Sequence, residues 1–328
     1  MKVSDLNIYH RRDHSPELVV VDLQYQKTEP WLHILDKYVG SLEGTSILDI
    51  GCGFGGLILS CSNLGAHSFG VDPSHIIHIV RKGMVNATGH AIPLVCADGR
   101  ALPFKSESFD VVMSIGVLEH ITRAEALVEE MARVLKPGGK FLLFFGPNKR
   151  LRFTTSSTHR RISYTFWTPE DAERLMRKLQ LYRIRRVWAE VIQFRFQHLS
   201  FIYGAPCWFQ DFTKVLISIV KKLRFLGVTI GLACRALELI SLPRNIYLVA
   251  TKQGDLSPTE GVSSKKEHYA GMNNGLMDIL ICPECKNTLE LTAEMVSDDE
   301  VISGVLYCSQ CDRKYPILDS IPVFVSQE

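Results

Sequence analysis

The sequence predicts a doubly wound α/β domain followed by a much smaller C-terminal domain. From residue 46 onward, short apolar runs rich in β-branched residues alternate with helical patterns, and three of these runs end on an acidic residue. This alternation is typical of a mostly parallel sheet with helices on both faces and with polar side chains at the carboxyl ends of the strands. A polar, turn-rich stretch over 254–274 then separates off a segment, 275–328, that contains two cysteine pairs.

The first apolar run, 47–50, is followed by a glycine-rich turn and by Leu57–Cys61, which is typical of the start of a helix. Glycines let the backbone pass close to a ligand, and the free amides of a helix N-terminus can donate hydrogen bonds to it. A nucleotide-type ligand is therefore expected at this turn.

The glycine spacing itself fits two templates. Gly51, Gly53 and Gly56 match the dinucleotide-binding pattern, in which an acid such as Asp72 follows about 20 residues later. With Gly55 in place of Gly56, the same turn matches the acid-x-Gly-x-Gly pattern of S-adenosylmethionine (SAM) methyltransferases. The choice between the templates depends on the segments that follow.

The remaining elements follow in regular order. The second strand, 67–71, ends at Asp72, and Pro73 then begins a helix. Later strands are predicted at 92–98, 109–114, 140–145, 181–188 and 245–251, and helices at 123–135 and 168–178. A Lys-Pro-Gly-Gly turn at 136–139 leads into the fifth strand. Residues 1–45 are expected to form an N-terminal cap in which 30–38 is helical and Trp31 packs on the edge of the sheet.

An insertion of about 55 residues, 190–243, separates the sixth and seventh strands. It is rich in aromatic residues, and its 208–224 segment places lysines and aliphatic residues on different sides of a helical pattern. Residues 150–224 carry 15 basic and 5 acidic side chains. This composition suits an amphiphilic or membrane-bound substrate with peripheral membrane contact through 208–224, or RNA, or an ordinary helical subdomain with a solvated basic face.

Five motifs occur in the order found in class I SAM-dependent methyltransferases, and over residues 40–150 the chain resembles the subgroup that acts on quinones and other small molecules. The motifs are Ile47–Gly53, Val71–Ser74, Ala97–Asp98, Phe109–Val112 and Arg133–Gly139. Dehydrogenases usually lack both the acid two residues before the first glycine and the Leu-Lys-Pro-Gly-Gly turn. The resemblance implies a mostly parallel, Rossmann-like seven-stranded sheet whose seventh strand is antiparallel, and SAM as cofactor.

The resemblance also implies roles for individual residues. Gly51 and Gly53 would run under the methionine part of SAM, with Asp49 near its amino group. Asp72 would accept hydrogen bonds from the ribose hydroxyls.

Further along the chain, Asp98 would accept a hydrogen bond from the adenine amino group, with the Gly99 backbone nearby. Ser114 begins the segment that would pass the methyl group of the cofactor. A hydroxyl or carbon nucleophile also needs a base, and His120 has a suitable intrinsic pKa and location. A histidine at the start of a helix, with a packing role only, fits the same position.

The small domain contains a paired Cys-x-x-Cys pattern that predicts a closed, structural zinc site. Its ligands would be Cys282, Cys285, Cys308 and Cys311. The whole segment 275–326 resembles the zinc-ribbon family of the small activator subunit of methyltransferases that act on tRNA, ribosomal RNA and release factors. In that family the ribbon is a separate chain that covers the catalytic subunit, which implies that here it docks within its own chain. Its acidic residues disfavour direct contact with nucleic acid and could instead face the basic 150–224 region.

The sequence therefore predicts a SAM-dependent methyltransferase whose substrate is a small or amphiphilic metabolite, lipid-linked or quinone-like. RNA is the alternative substrate, and a non-catalytic SAM-binding scaffold is the alternative from another class. The start of the chain has no apolar signal region, and the five cysteines outside the two pairs suit free thiols, so a cytoplasmic location is expected.

Overall fold

The computed structural model describes residues 28–88, 92–146, 167–191, 245–254, 274–297 and 300–325. Most of the N-terminal cap, of the insertion and of the linker at 254–274 lies outside these ranges, and so does the amphipathic 208–224 segment. The predictions about lipid and RNA contact through the basic region therefore stay predictions. Among the described residues, no helix is long and apolar enough to cross a membrane.

The large domain is built on a seven-stranded sheet with strand order β3-β2-β1-β4-β5-β7-β6, which confirms the predicted fold class. Strands β1 to β5 are parallel, β7 is antiparallel to both of its neighbours, and the carboxyl ends of β1 to β5 meet at one edge. The strands are β1 (Ser46–Ile50), β2 (His67–Val71), β3 (Leu94–Val95), β4 (Phe109–Ile115), β5 (Leu135–Phe145), β6 (Leu181–Arg186) and β7 (Ile246–Lys252).

Within the described ranges, helices cover the two faces of the sheet. They are α1 (Glu29–Tyr38), α2 (Gly56–Asn63), α3 (Ile76–Thr88), α4 (Ala124–Val134) and α5 (Pro169–Lys178). Helix α5 begins as predicted: the Thr168 side chain accepts from the Asp171 amide and the Asp171 carboxylate accepts from the Thr168 amide, a complete capping box. On one face, Trp31 packs on Phe144 of β5 and Tyr247 of β7, so α1 packs on the sheet as predicted, but against interior strands rather than at the edge.

Two predicted elements differ from the structure. The third strand was expected over 92–98, but only Leu94–Val95 forms a strand with β2. The turn at 136–139 lies inside β5, because Leu135 already pairs with Phe109 while the next pair joins Lys140 to Val111. The extra residues are accommodated as an irregularity in which Gly138 has a positive φ of 75°.

The small domain begins with α6 (Asn274–Ile279) and contains a four-stranded antiparallel sheet in the order β11-β10-β9-β8. Its strands are β8 (Glu290–Ser297), β9 (Glu300–Cys308), β10 (Arg313–Leu318) and β11 (Ile321–Pro322).

The small domain docks on the large one, as the sequence predicts. At the free edge of β3, the Cys96 amide donates to the Pro322 carbonyl (2.9 Å) and the Phe324 amide donates to the Cys96 carbonyl (2.7 Å). A second backbone contact joins the Ile281 amide to the Pro103 carbonyl at 2.9 Å. The end of the ribbon therefore covers this edge of β3 through one isolated bridge, Cys96 with Val323, and occupies backbone groups that would otherwise be open to pairing with other chains.

Candidate functional site

The turn after β1 has the backbone that only glycine adopts easily. Gly51, Gly53 and Gly55 have φ angles of +76°, +51° and +71°. A Cβ on Gly51 would collide with the side chain of Val117, so the turn passes directly against the segment after β4. A Cβ on Gly53 would meet nothing within 4 Å, so this part of the turn faces open space.

Asp72 joins this turn to the segment that leads into α3. Its Oδ2 accepts from the Gly53 amide at 3.1 Å and its Oδ1 from the Ser74 amide at 2.9 Å. Burial raises the pKa of Asp72, although both backbone hydrogen bonds act to lower it. The carboxylate is thus held at the carboxyl end of β2, beside the open part of the glycine turn.

Asp49 is buried at the end of β1, with 5% of its surface exposed. Its Oδ1 atom has no hydrogen-bond partner among the described residues. Burial raises the pKa of Asp49 to about 7, and the charge of Asp72 adds to the effect. A cationic ligand group would supply the missing partner and favour the ionised carboxylate, which fits the amino group of SAM.

Asp98 lies at the end of the β3 segment and is bound by Arg100. The Arg100 side chain donates to both carboxylate oxygens, with Nε–Oδ1 and Nε–Oδ2 distances of 3.0 Å, and its amide donates to Oδ1 at 2.8 Å. Burial acts to raise the pKa of Asp98, but the hydrogen bonds and charge of Arg100 outweigh it and hold the pKa below its ordinary value. The sequence analysis missed Arg100. Its position two residues after Asp98 is the feature of the sequence that could have indicated this contact.

Gly99 lies against the core, because a Cβ there would come within 3 Å of side-chain atoms of Leu127 and Ile50. Ser114 is completely buried, and its hydroxyl donates to the carbonyl of Ile50 at 3.1 Å. This hydroxyl therefore holds β4 to β1. The role of Ser114 toward a cofactor stays a prediction, and its backbone is the part that could serve it.

The segment after β4 forms a short 3-10 helix, Leu118–His120, in which two neighbouring ionisable residues have opposite environments. His120 is exposed, whereas Glu119 is 9% exposed and its Oε2 atom has no hydrogen-bond partner among the described residues. Burial raises the pKa of Glu119, while its own amide, the charge of His120 and the Gly146 amide act to lower it. The sequence analysis chose His120 and missed Glu119, which the same segment contains.

A cluster of three aromatic rings lies at the carboxyl end of β5, where Phe144 is paired with Tyr247 of β7 and Trp31 of α1 packs on both. The ring centroids of Phe144 and Tyr247 are 4.3 Å apart, and that of Trp31 lies 5.2 Å from Phe144 and 5.5 Å from Tyr247. The Gly116 amide donates to the Phe144 carbonyl at 3.0 Å, and a Cβ on Gly116 would meet the Phe144 ring at 4.0 Å. Phe144 and Trp31 remain half-buried, so part of this apolar surface is open.

The four cysteines of the ribbon form one cluster, as the sequence predicts. Their Sγ atoms all lie within 4.8 Å of one another, and the Cys282–Cys311, Cys285–Cys308 and Cys285–Cys311 separations are 3.5, 3.4 and 3.8 Å. Four ligands at the usual Zn–S distance of about 2.3 Å in a tetrahedron would be separated by about 3.8 Å. The donor set and its geometry fit a closed structural zinc site.

Comparison with known proteins matches both parts of the chain. Residues 48–143 match a family model described as a methyltransferase domain, and residues 274–320 match one described as Trm112p-like protein. A sterol 4-C-methyltransferase of Caenorhabditis elegans is 36% identical over 114 residues, which are 34% of this chain and 34% of that protein. A ubiquinone biosynthesis O-methyltransferase of Agrobacterium fabrum is 30% identical over 146 residues, which are 40% of this chain and 58% of that protein.

The match to these curated relatives thus spans about a third of the first and under two thirds of the second. Among solved structures, phosphoethanolamine N-methyltransferase 2 of Haemonchus contortus in complex with SAM aligns with a TM-score of 0.48 at 21% identity. The alignment covers 74% of this chain and 59% of that one.

Proposed function

We propose that this chain, which carries a methyltransferase domain and a Trm112p-like domain, is a SAM-dependent methyltransferase that acts on a small or amphiphilic metabolite. One observation carries the proposal. The open part of the glycine turn meets the carboxylates of Asp49 and Asp72 at the carboxyl edge of the sheet, where ligands of such folds bind.

In this proposal Asp49 binds the amino group of SAM, Asp72 accepts from the ribose hydroxyls, and Gly51 and Gly53 let the backbone pass beneath the methionine part. Asp98, oriented by Arg100, accepts from the adenine amino group beside the Gly99 backbone, and Ser114 begins the segment that faces the methyl group. SAM supplies an electrophilic methyl group on a sulfonium. The protein then has to align a nucleophile with it, and alignment accounts for much of the rate gain in such transfers.

The small-metabolite substrate is supported by two observations. The sterol and ubiquinone methyltransferases that resemble the large domain are named for apolar small molecules. The ring of Phe144, which stays partly exposed together with that of Trp31, lies 4.0 Å from a Cβ built on Gly116, in the segment that we propose passes the methyl group. The amphipathic 208–224 segment would then contact a membrane surface peripherally.

RNA is the second candidate substrate. The Trm112p-like match favours it, because the family that the ribbon resembles serves methyltransferases acting on tRNA and ribosomal RNA, and the 15 basic residues of 150–224 could follow phosphates. The ribbon's zinc would be structural in either case. We further propose a cytoplasmic location, supported by the free thiols of Cys52, Cys61 and Cys96.

Methyl-labelled SAM distinguishes these possibilities. The purified protein is incubated with labelled SAM and a cell extract, which is then divided into RNA, protein, organic-soluble and aqueous fractions. Label in the organic or aqueous metabolite fraction is expected. Label in RNA would replace the proposed substrate with the second candidate, and tight SAM binding without transfer to any fraction would favour a non-catalytic scaffold.

A further inference from the structure

Tyr315 of β10 places its hydroxyl group beside the cysteine cluster of the ribbon, where its Oη atom lies 3.2 Å from Sγ of Cys282. Burial alternates along β10: Lys314 is exposed, whereas Tyr315 and Ile317 are buried, with 7% and 1% of their surfaces exposed. Tyr315 is paired with Leu306 of β9, which is completely buried, so its ring lies on the inner face of the small sheet. The contact therefore joins this strand to the first cysteine pair.

The ring of Tyr315 is held by the segment that docks on the large domain. Its centroid lies 4.7 Å from that of Phe324. The Phe324 amide donates to the Cys96 carbonyl at 2.7 Å, and the Val323 amide donates to the Pro316 carbonyl at 2.9 Å. Packing therefore fixes the position of the ring, and the hydroxyl group is a separate feature that a change to Phe removes alone.

The four cysteines of the cluster have unequal environments. Cys282 and Cys308 are completely buried, whereas Cys285 and Cys311 are partly exposed. Four thiolates carry more negative charge than one zinc ion neutralises. Water can solvate this charge at the two partly exposed sulfur atoms. At a buried sulfur atom the protein itself has to supply a donor, because a buried charge without a hydrogen bond is costly.

The direction of the hydrogen bond between Tyr315 and Cys282 follows from the charge on the sulfur atom. A thiol could donate to the tyrosine hydroxyl as well as accept from it, but a thiolate that binds a metal has no hydrogen to donate. In a zinc-bound ribbon the Tyr315 hydroxyl is therefore the donor. A hydrogen bond to an ionised acceptor is stronger than one between neutral groups, so this contact stabilises the thiolate form that binds zinc.

We propose that Tyr315 is a positioning residue of the zinc site: its hydroxyl group donates to the Cys282 thiolate, holds that sulfur atom in the cluster and raises the affinity for zinc. The inference rests on the four cysteines being zinc ligands and does not depend on the substrate of the large domain. It also accounts for a polar group in the interior of so small a domain. A buried hydroxyl group without a partner would cost free energy, and the thiolate is that partner.

The contribution of the hydroxyl group to affinity is tested with Tyr315→Phe, which keeps the ring and its packing on Phe324. Each full-length protein competes for zinc with a chromophoric chelator. The variant should bind zinc about 10-fold to 100-fold more weakly, the usual effect of removing the hydrogen-bond partner of a metal ligand. Tyr307→Phe is the matched control, because Tyr307 lies in the same domain, is partly exposed and donates to Asp312 at 3.0 Å. It should bind zinc about as tightly as the wild type.

Cobalt in place of zinc reports on the sulfur atom itself. The full-length proteins are produced with Co²⁺ as the supplied metal, and the charge-transfer band from thiolate to cobalt is recorded in the near ultraviolet. A hydrogen bond stabilises the sulfur electrons that this transition excites, so its loss in Tyr315→Phe should move the band to longer wavelength. Phe324→Leu reduces the packing on the ring but keeps the hydroxyl group, and Tyr307→Phe does not touch Cys282. Neither of these two variants should move the band.

Three results would overturn the inference. They are an unchanged zinc affinity in Tyr315→Phe, weaker zinc binding in that variant with an unchanged cobalt band, and an equal effect in Tyr307→Phe. The second result would mean that the change acts on the packing of the ribbon and not on the sulfur atom. In all three cases the cysteines would remain the zinc ligands. A wild-type protein that binds neither zinc nor cobalt would contradict the zinc site, and the inference with it.

Discussion

The Nζ atom of Lys286 lies 2.9 Å from Oε2 of Glu130, so the zinc ribbon is tied by an ion pair to helix α4 of the large domain. Lys286 directly follows the cysteine pair Cys282 and Cys285, and its amide donates to the Cys282 carbonyl at 2.9 Å. The ion pair is therefore made by the residue directly after the cysteine pair that is proposed to bind zinc. Glu130 also accepts from Arg133 and from the Leu102 amide, which connects the knuckle to the segment after Asp98.

Replacing Glu130 should loosen this junction in a pH-dependent way. Burial acts to raise the pKa of Glu130, but hydrogen bonds and charges from Arg133 and Lys286 outweigh it and hold the pKa below its ordinary value. A lowered carboxyl pKa contributes stability above the ordinary pKa of about 4.3, and this contribution is lost as pH falls through the folded-state value. Glu130→Gln should cost about 1–3 kcal/mol in urea unfolding at pH 7 and much less near pH 3. The exposed neighbour Glu129, changed to Gln, is the control, and equal losses in both variants would contradict the prediction.

Zinc removal should unfold the ribbon. Four thiolates around one ion supply much of the folding free energy of a domain this small, so a chelator should release about one zinc per chain and abolish the ribbon's β-structure in circular dichroism. Because buried residues of the ribbon, such as Leu280 and Leu306, belong to the same apolar core as α4, the melting temperature of the large domain should fall as well. Elemental analysis that finds no zinc in the purified protein would contradict this prediction.

Asp72→Ala should weaken SAM binding at least tenfold in calorimetry. The variant removes the proposed ribose acceptor and also the hydrogen bond that fixes Gly53 at 3.1 Å. Asp36→Ala, an exposed acid on α1, is the control for the loss of one negative charge. Near-normal affinity in Asp72→Ala would mean that the ligand site has been placed wrongly.

Asp49→Asn should stabilise the ligand-free protein and at the same time weaken its binding of SAM. A carboxyl group whose folded-state pKa is raised to about 7 destabilises the ligand-free protein as pH rises from about 4 through 7, because the folded state disfavours its ionised form. The variant should therefore have a higher melting temperature than wild type at pH 8 without ligand, by roughly 2–4 °C for each kcal/mol gained.

The same variant should bind SAM more weakly, because the carboxylate that would attract the amino group is gone. In the wild type, SAM affinity should rise with pH through about 7, and in Asp49→Asn it should lack this dependence. A variant that is both less stable and equally tight in binding would overturn the assignment of Asp49.

The strand-turn-helix at 46–63 was predictable from the sequence because its signals are local. The positive φ angles of Gly51, Gly53 and Gly55 and the acids that end neighbouring strands are consequences of short-range backbone geometry and of parallel strand order. The cysteine pairs were predictable for the same reason, since each pair is a local knuckle and only their meeting is long-range.

The misses concern residues whose environment is set at long range. Directly after β3, Cys96 pairs with Val323 of the ribbon, more than 200 residues away, and no local signal in the sequence indicates this contact. His120 and Glu119 are adjacent in sequence, and only the packing of the 3-10 helix against β5 decides that Glu119 is the buried one. No periodicity in the segment 115–120 distinguishes the two.

The pairing of Cys96 with the end of the ribbon has a consequence for the ratio of ribbons to large domains in the cell. A cover supplied by a second chain dissociates when both chains are dilute, and its occupancy depends on how much of each chain is made. Here both surfaces belong to one polypeptide, so their effective concentration is set by the chain that joins them and does not fall when the protein is diluted. Each large domain therefore has one cover of its own, at a stoichiometry fixed by translation and independent of expression level.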